Sequence, residues 1–264
     1  MTTRTTQQLF NLEGRTALVT GGSRGLGLQM AHALGEAGAK VMLTSRKAAD
    51  LEEAVADLQA AGIDARWIAA DCSREDDIRK MADQAMERIG DIDILVNNAG
   101  AAWGAPAEDH PVEGWDKVMN LNVRGYFILS QHVAKRSMIP RNKGRIVNIA
   151  SIAGLGGSPP DIQTVAYNTS KGAVITLTQA LACEWGKYNI NVNAICPGFF
   201  PSKMTQATLQ RLGEDELAAH APLRRLGDDE DLKGITLLYA SDAGKHITGQ
   251  WLAVDGGVSV ITGG

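Results

Sequence analysis

The fold is decided by the stretch Thr16-Ala17-Leu18-Val19-Thr20-Gly21-Gly22-Ser23-Arg24-Gly25-Leu26-Gly27. Its first five residues form a short apolar run, which predicts a buried strand over residues 16–20. Glycines at 21, 25 and 27 give a G-x-x-x-G-x-G pattern, and a helical pattern then continues to about residue 37. This order is typical of a dinucleotide-binding loop, because glycine lets the backbone approach a pyrophosphate resting on a helix N-terminus. An ordinary glycine-rich turn between strand and helix is the alternative.

The alternation of short apolar runs and longer helical stretches continues along the whole chain. Further strands are predicted over residues 40–44, 66–70, 92–96, 145–149, 191–195 and 251–254. Helices are predicted over residues 50–61, from Ser73 onward, and over residues 112–137 and 165–185. Strands separated by helices imply an α/β fold. We therefore expect a Rossmann-like, doubly wound parallel sheet of about seven strands with helices on both faces.

The 264 residues contain no segment that reads as an interdomain linker. We therefore expect a flexible N-terminal tail over residues 1–11 and a single dinucleotide-binding catalytic domain over residues 12–264. Residues 197–247 contain no predicted strand and include Pro201 and Pro222. Within this stretch, residues 199–225 are predicted to form a lid-like segment.

The composition excludes several classes of protein. Hydrophobic residues make up 44% of the chain and the formal net charge is −4, which fits a globular protein without a nucleic-acid surface. No apolar run is long enough to predict a membrane span, and the polar N-terminus does not resemble a signal peptide. Three cysteines, Cys72, Cys183 and Cys196, lack metal-ligand spacing and fit a reduced, cytoplasmic location. No metal site is expected.

Tyr167 and Lys171 are four residues apart in a predicted helix, so both side chains lie on one face. A cation beside a phenol favours the phenolate, and proton exchange near neutral pH needs a pKa well below the usual value of about 10. The pair is a candidate proton donor with its electrostatic partner. Two unrelated surface residues would give the same spacing.

The end of the second predicted strand bears on the choice between NAD(H) and NADP(H). Chains that bind NAD usually place an acid there to bond the ribose hydroxyls. Here the strand ends in Ser45, Arg46 and Lys47. A guanidinium can bond a 2′-phosphate in bidentate fashion, and Arg24 can reach it from the glycine loop. NADP(H) is therefore favoured over NAD(H), with two solvated surface arginines as the alternative.

Eight motifs in order resemble those of the short-chain dehydrogenase/reductase family, over about residues 12–257. They are residues 20–27, Asp71, residues 97–100 (NNAG), residues 122–125 (NVRG), Ser151, the Tyr167/Lys171 pair, residues 197–198 (PG) and residues 255–257 (DGG). The chain is most similar to a subgroup with 3-oxoacyl reductase-like and gluconate 5-dehydrogenase-like members.

The resemblance implies roles for four catalytic residues. Ser151 would hydrogen-bond the substrate oxygen, and Tyr167 would be the general acid in reduction or the base in oxidation. Lys171 would lower the pKa of Tyr167 and hold the nicotinamide ribose. Asn122 would order a water molecule that links Lys171 to solvent. Ser151 and Tyr167 are suitable donors to the alkoxide that forms when hydride reaches a carbonyl carbon.

The resemblance also implies a cofactor-binding set drawn mainly from the ends of the predicted strands and the loops that follow them. It comprises Gly21, Ser23, Arg24, Gly25, Leu26, Gly27, Ser45, Arg46, Asp71, Cys72, Asn98, Ala99, Gly100, Tyr167, Lys171, Pro197, Gly198 and Ser202. Asp71 would meet the adenine amine. Ser202 stands where many relatives have a threonine that bonds the cofactor.

The predicted substrate pocket is mainly apolar and is formed by loops at the carboxyl ends of the strands. Its lining is predicted to be Trp103, Ser151, Leu155, Phe199, Phe200 and Met204. The loop over residues 152–165 is about three residues longer than is common in the family. Asn142-Lys143 and Lys187-Tyr188 keep only part of the basic pattern with which family members dock an acyl carrier protein, so carrier-protein docking is doubtful.

The function expected from these features is NADPH-dependent reduction of a carbonyl to a secondary alcohol, on 3-oxoacyl thioesters or small ketones. The alternatives are an NAD(P)-dependent sugar or polyol dehydrogenase of the gluconate type and a non-catalytic cofactor-sensing protein. The resemblance further implies a homotetramer or homodimer.

Overall fold

Seven strands are found in the computed structural model, which describes residues 3–261 apart from the side chains at positions 207 and 208. They are β1 (Thr16–Thr20), β2 (Lys40–Ser45), β3 (Ala65–Ala69), β4 (Ile94–Asn97), β5 (Gly144–Ile149), β6 (Ile190–Pro197) and β7 (Trp251–Val254). All neighbouring strands pair in parallel, in the order β3-β2-β1-β4-β5-β6-β7. The predicted α/β class and parallel sheet are confirmed.

Helices connect the strands on both faces of the sheet. They are α1 (Thr6–Phe10), α2 (Gly25–Glu36), α3 (Ala48–Ala60), α4 (Glu75–Ile89), α5 (Val112–Met119), α6 (Gly125–Val133), α7 (Ile139–Arg141), α8 (Val165–Trp185), α9 (Gln206–Leu212), α10 (Glu214–His220) and α11 (Lys233–Ala240). The π-helical segments Asn120–Arg124 and Ala134–Met138 join α5, α6 and α7 into one continuous rod.

The core lies in two layers because successive strand residues point to opposite faces. Ala17 and Val19 of β1 lie in the same buried cluster as residues of α2, α3 and α11, whereas Leu18 between them lies in a second cluster with residues of α4, α6 and α8. Every residue of β1 is buried, as expected for a central strand of a parallel sheet covered on both faces.

The N-terminal segment is more regular than the sequence predicts. Residues 6–10 of the predicted tail form α1, whose start is fixed by a capping box between Thr5 and Gln8. Arg4 pairs with Asp242 at 2.6 Å and ties the segment to the domain. Flexibility of residues 1–11 stays a prediction.

The topology fixes where a ligand site can form. β1 pairs with β2 on one side and with β4 on the other, so the order of strands reverses at β1. The connections after β1 and β4 therefore leave the sheet on opposite faces. In sheets of this kind, a crevice opens at the carboxyl ends of the two strands.

Candidate active site

A cavity of about 770 Å³ opens at this crevice. It is lined by all eighteen residues that the sequence predicts to bind the cofactor, from Gly21 to Ser202, and also by Ser151, Phe200 and Met204. We call the part around Ser151, Tyr167 and Lys171 the tyrosine end. The part around Arg24, Ser45, Arg46 and Asp50 is the arginine end.

The glycine loop is shaped by two positions at which a side chain would be strained or would clash. Gly25 begins α2 with φ of +53°, a conformation that favours glycine. A Cβ on Gly27 would overlap the carbonyl oxygen of Gly21 and lie 2.5 Å from Asn98 Nδ2. Arg24, at the N-cap of α2, gives no side-chain cap within the described residues, so the helix start keeps its amides for another acceptor.

Asn98 holds the glycine loop against the end of β4. Its Nδ2 donates to the carbonyl oxygens of Thr20 and Gly21 at 2.9 and 3.1 Å, and its backbone amide donates to Thr20 Oγ1 at 2.9 Å. Ala99 adds a bond from its amide to the same hydroxyl at 3.0 Å. Asn98 thus positions the loop, and both hydrogens of its side-chain amide are already used.

The arginine end carries two guanidinium groups in different states. Nη1 of Arg24 lies 3.3 Å from Oδ2 of Asp50. Arg46 forms no ion pair within 4.0 Å anywhere in the described part of the chain. Ser45 Oγ is buried and has no hydrogen-bond partner among residues 3–261. An unpaired cation beside an orphaned hydroxyl fits an anionic ligand group better than a neutral one.

Asp71 follows β3 and faces the cavity from the next strand. Its Oδ1 accepts bonds from the amide and hydroxyl of Ser73 at 2.9 and 2.7 Å. Burial raises the pKa of Asp71, but these bonds and the charges of Arg46 and Arg74 outweigh it, so the pKa is lowered overall. Asp71 is therefore a carboxylate at neutral pH, with Oδ2 left as an acceptor.

Lys171 is the most constrained cation of the site. It is 3% exposed, and its Nζ donates to the carbonyl oxygen of Ile149, at the end of β5, at 2.6 Å. The rings of Tyr126 and Tyr167 lie 5.7 and 5.5 Å from Nζ. Burial lowers the pKa of Lys171 to about 8.

Tyr167 differs electrostatically from the sequence-based prediction. Burial raises its pKa above the usual value, and the side chain of Ser151 opposes this only in part. The expected depression by Lys171 is not found, since the ammonium is directed to Ile149 and no other cation compensates the desolvation. Tyr167 is therefore a protonated phenol at neutral pH.

Asn122 positions the tyrosine end from outside the cavity lining. It is 0% exposed and lies in the π-helical segment between α5 and α6. Its Nδ2 donates to the carbonyl of Ala101 and to Ser170 Oγ, each at 2.9 Å, and its Oδ1 accepts from the amide of Ala101 at 2.8 Å. Both amide hydrogens are occupied, so the side chain holds the 101 loop against α8.

Two cysteines near the site are not nucleophiles. Burial raises the pKa of Cys72 to about 12 and that of Cys196 to about 11. Both thiols are therefore protonated at neutral pH and act as small buried side chains.

Three predicted lining residues lie outside the cavity wall. Trp103 packs its indole against Gly114 and has the ammonium of Lys117 5.1 Å from its ring centre. Leu155 packs on a buried cluster that includes Tyr126, and Phe199 is fixed by its carbonyl, which accepts from Gly227 at 2.9 Å. Their contribution to a substrate pocket stays a prediction.

Several residues of the site were not predicted. Lys117, Leu121, Thr205 and Asp229 line the cavity, and Tyr126 lies behind Lys171. Tyr126 could have been predicted from the sequence, because it follows Asn122 by four residues and so lies near it on the same helical face. Asp50 is the first acid after the second strand, but only the structure turns it toward Arg24.

A strand-reversal crevice with a glycine loop and a paired tyrosine and lysine defines a dinucleotide-dependent oxidoreductase. The chain belongs to the short-chain dehydrogenase family, whose model matches residues 15–213.

Characterised relatives and solved structures resemble the chain over nearly its full length. A 3-oxoacyl-[acyl-carrier-protein] reductase of rhamnolipid biosynthesis from Pseudomonas aeruginosa is 42% identical, covering 94% of this chain and 97% of the relative. Gluconate 5-dehydrogenase from Gluconobacter oxydans is 38% identical, covering 96% and 97%. The structure of a gluconate 5-dehydrogenase from Burkholderia cenocepacia, in complex with NADP and tartrate, superposes with a TM-score of 0.91 at 33% identity, covering 97% and 99%. The chain is an oxidoreductase of this family.

Among the helices of residues 3–261, none combines the length and apolar character needed to span a bilayer.

Proposed function

We propose that the protein is an NADPH-dependent carbonyl reductase that forms a secondary alcohol and also catalyses the reverse oxidation. The observation that carries the proposal is the joint lining of one cavity by Ser151, Tyr167 and Lys171 at one end and the unpaired Arg46 at the other. A carbonyl substrate needs the proton donor at the tyrosine end, and the 2′-phosphate of NADPH needs the cation at the arginine end.

The chemistry divides between the coenzyme and four side chains. When bound, NADPH would supply the hydride to the carbonyl carbon. Ser151 donates a hydrogen bond to the substrate oxygen, and Tyr167 gives that oxygen its phenolic proton. The resulting phenolate takes a proton back from solvent, on the side where Lys171 holds its ammonium. Asn122 keeps the 101 loop and α8 in register.

The protonation state of Tyr167 at neutral pH suits the role of general acid in reduction. A general acid must carry its proton when the substrate binds, and burial keeps Tyr167 protonated. Lys171, with its pKa lowered to about 8, can exchange a proton with water without a large free-energy cost. Oxidation needs the phenolate and should become faster at alkaline pH.

The preference for NADP(H) rests on the arginine end. Arg46 has no anionic partner in residues 3–261, and the 2′-phosphate of NADPH would be such a partner. The NADP complex of the Burkholderia cenocepacia relative supports this preference.

The substrates we propose are 3-oxoacyl thioesters or small ketones, in line with the Pseudomonas aeruginosa reductase. A gluconate-type sugar or polyol dehydrogenase is the second candidate. It is favoured by Lys117 and Lys203, two ammonium groups in the cavity wall that suit a carboxylate-bearing sugar. A cofactor-sensing protein without turnover is disfavoured, since the site retains Asn122 and Ser151 as well as the tyrosine and lysine.

A substrate panel tests the proposal and separates the two candidates. Ketones, 3-oxoacyl thioesters and keto-sugar acids are assayed with NADPH and NADH, by following coenzyme absorbance. We expect turnover of at least one carbonyl class with NADPH preferred. Exclusive turnover of keto-sugar acids would favour the second candidate, and no turnover of any class would contradict the assignment as a reductase.

We also propose a cytoplasmic homotetramer or homodimer and a lid over residues 199–225. Trp251, Leu252, Val260 and Ile261 are large apolar residues at least 43% exposed, and a second copy would bury them. Ser202 and Thr205 of the lid-like segment line the cavity, and Arg211 reaches the carbonyl of Asp161 at 2.8 Å. Light scattering in solution tests the oligomeric state.

A further inference from the structure

Asp50 brings a negative charge to the arginine end of the cavity. It lies in the first turn of α3, the helix that follows Arg46 and Lys47. Its carboxylate lines the cavity and accepts from Arg24 Nη1 at 3.3 Å. The side chains of Arg24 and Asp50 are 54% and 32% exposed, so neither is locked in place by burial.

The two arginines are therefore not equivalent toward a ligand. Arg46 is unpaired in the described structure and available at once. Arg24 must first leave Asp50, or share its guanidinium with it. A phosphate that approaches Arg24 also approaches the Asp50 carboxylate, and two like charges in partly solvated surroundings repel.

We propose that Asp50 is a coenzyme-specificity residue that weakens the binding of NADPH by competing with its 2′-phosphate for Arg24. This inference rests on the proposed NADPH preference and adds a limit to it. The same carboxylate tolerates a ribose hydroxyl, which can donate a hydrogen bond to it. Asp50 therefore lowers the affinity for NADPH and leaves the affinity for NADH unchanged or higher. Asp50 thereby reduces the preference for NADPH over NADH that Arg46 creates.

A purely structural role for Asp50 predicts something different. An acid in the first turn of a helix stabilises the helix through the macrodipole. In that case its removal would lower the melting temperature slightly and leave the NADPH-to-NADH affinity ratio unchanged. Alternatively, if Asp50 held Arg24 in the right position for the phosphate, removal of the Asp50 carboxylate would weaken the binding of NADPH.

The test is the dissociation constant of each coenzyme, measured by calorimetry on the full-length protein. Asp50→Asn keeps the side-chain shape and removes the charge, and we expect it to bind NADPH about fivefold to tenfold tighter, with NADH unchanged or weaker. Asp50→Ala should act in the same direction. The gain should shrink at high salt, because the pair is solvent-accessible.

Two controls make the result specific. Glu52→Gln removes the same charge from an exposed residue two positions along α3, on a different side of the helix, and should change neither constant. Adenosine 2′,5′-bisphosphate and 5′-AMP, used as fragments, should show the Asp50→Asn gain only for the bisphosphate. Arg24→Ala should cost more NADPH affinity in the Asp50→Asn background than in the wild type.

Unchanged or weaker NADPH binding by Asp50→Asn, with Arg46→Ala still selectively weakening NADPH, would overturn the inference and leave the proposed function intact. Equal affinities of the wild type for NADPH and NADH, together with no selective effect of Arg46→Ala, would instead overturn the proposed phosphate site itself.

Discussion

The tyrosine end of the cavity is buried, whereas the arginines of the arginine end are exposed to solvent. Lys171 and Asn122 are almost inaccessible; Lys171 donates to the carbonyl of Ile149, and both side-chain amide hydrogens of Asn122 have acceptors. Arg24 and Arg46 are exposed, and within residues 3–261 only Arg24 has an ion-pair partner, at 3.3 Å. A buried network is costly to disturb, but exposed charges exchange partners at little cost. Under the proposed function, the chemistry depends on a buried region and coenzyme choice on a solvent-exposed one.

The largest expected effect is a loss of turnover when the proton donor at the tyrosine end is removed without unfolding the protein. Tyr167→Phe removes the proton donor and keeps the ring, so kcat should fall by about a thousandfold. NADPH affinity should change little. Steady-state kinetics and calorimetry on the same preparation check both expectations, and Tyr188→Phe, on the short turn after α8, is the matched control. Undiminished turnover would remove Tyr167 from the mechanism.

Burial of Lys171 predicts a pH dependence of stability. Its pKa is lowered from 10.5 to about 8, so between these values the unfolded chain binds the proton more tightly than the folded chain. The wild type should therefore gain roughly 3 kcal/mol relative to Lys171→Met as the pH rises through this interval. Urea unfolding across the interval measures it, with exposed Lys135→Met as control. A difference independent of pH would show that Lys171 is not desolvated.

Asn122 tests how far the tyrosine end depends on its support. Asn122→Ala leaves the amide and carbonyl of Ala101 and the hydroxyl of Ser170 without their partner. Unfolding free energy should fall by about 2–3 kcal/mol, and kcat should fall with it. Asn120→Ala, an exposed neighbour, should cost much less. Equal losses in urea titrations of the two variants would contradict the positioning role.

The smallest expected effect concerns the arginine end. Arg46→Ala should weaken the binding of NADPH about tenfold and leave the affinity for NADH unchanged, since one charge-assisted contact in a solvated site is lost. Stability should change by less than about 0.5 kcal/mol, in contrast to the tyrosine end. Lys80→Ala removes the same charge from exposed α4 as a control. Parallel weakening of both coenzymes would place Arg46 elsewhere than beside the 2′ group.

Sequence patterns were strongest where local chemistry determines structure. The bounds of β1, β7 and α8 agree with their prediction, because β-branched runs and helical periodicity act locally. The apolar wall of the cavity depends on packing that local patterns do not encode. Trp103 follows the NNAG motif, but its ring packs on Gly114, eleven residues further along the chain.

Electrostatic relationships were the part that the sequence could not supply. The spacing of Tyr167 and Lys171 predicts neighbours, yet the direction of a pKa shift depends on burial and on competing acceptors such as the Ile149 carbonyl. Likewise, the sequence shows Arg24 and Arg46 as two cations. Only the folded chain shows that Asp50 engages one of them.

The separation of chemistry from coenzyme choice is tested most directly by one measurement. It is the ratio of kcat/KM with NADPH to that with NADH, determined for the wild type and for Tyr167→Phe on the best carbonyl substrate of the panel. The account predicts that Tyr167→Phe lowers both values by the same large factor and leaves a ratio that favours NADPH unchanged. A ratio that shifts toward NADH, or turnover that survives the substitution, would contradict it.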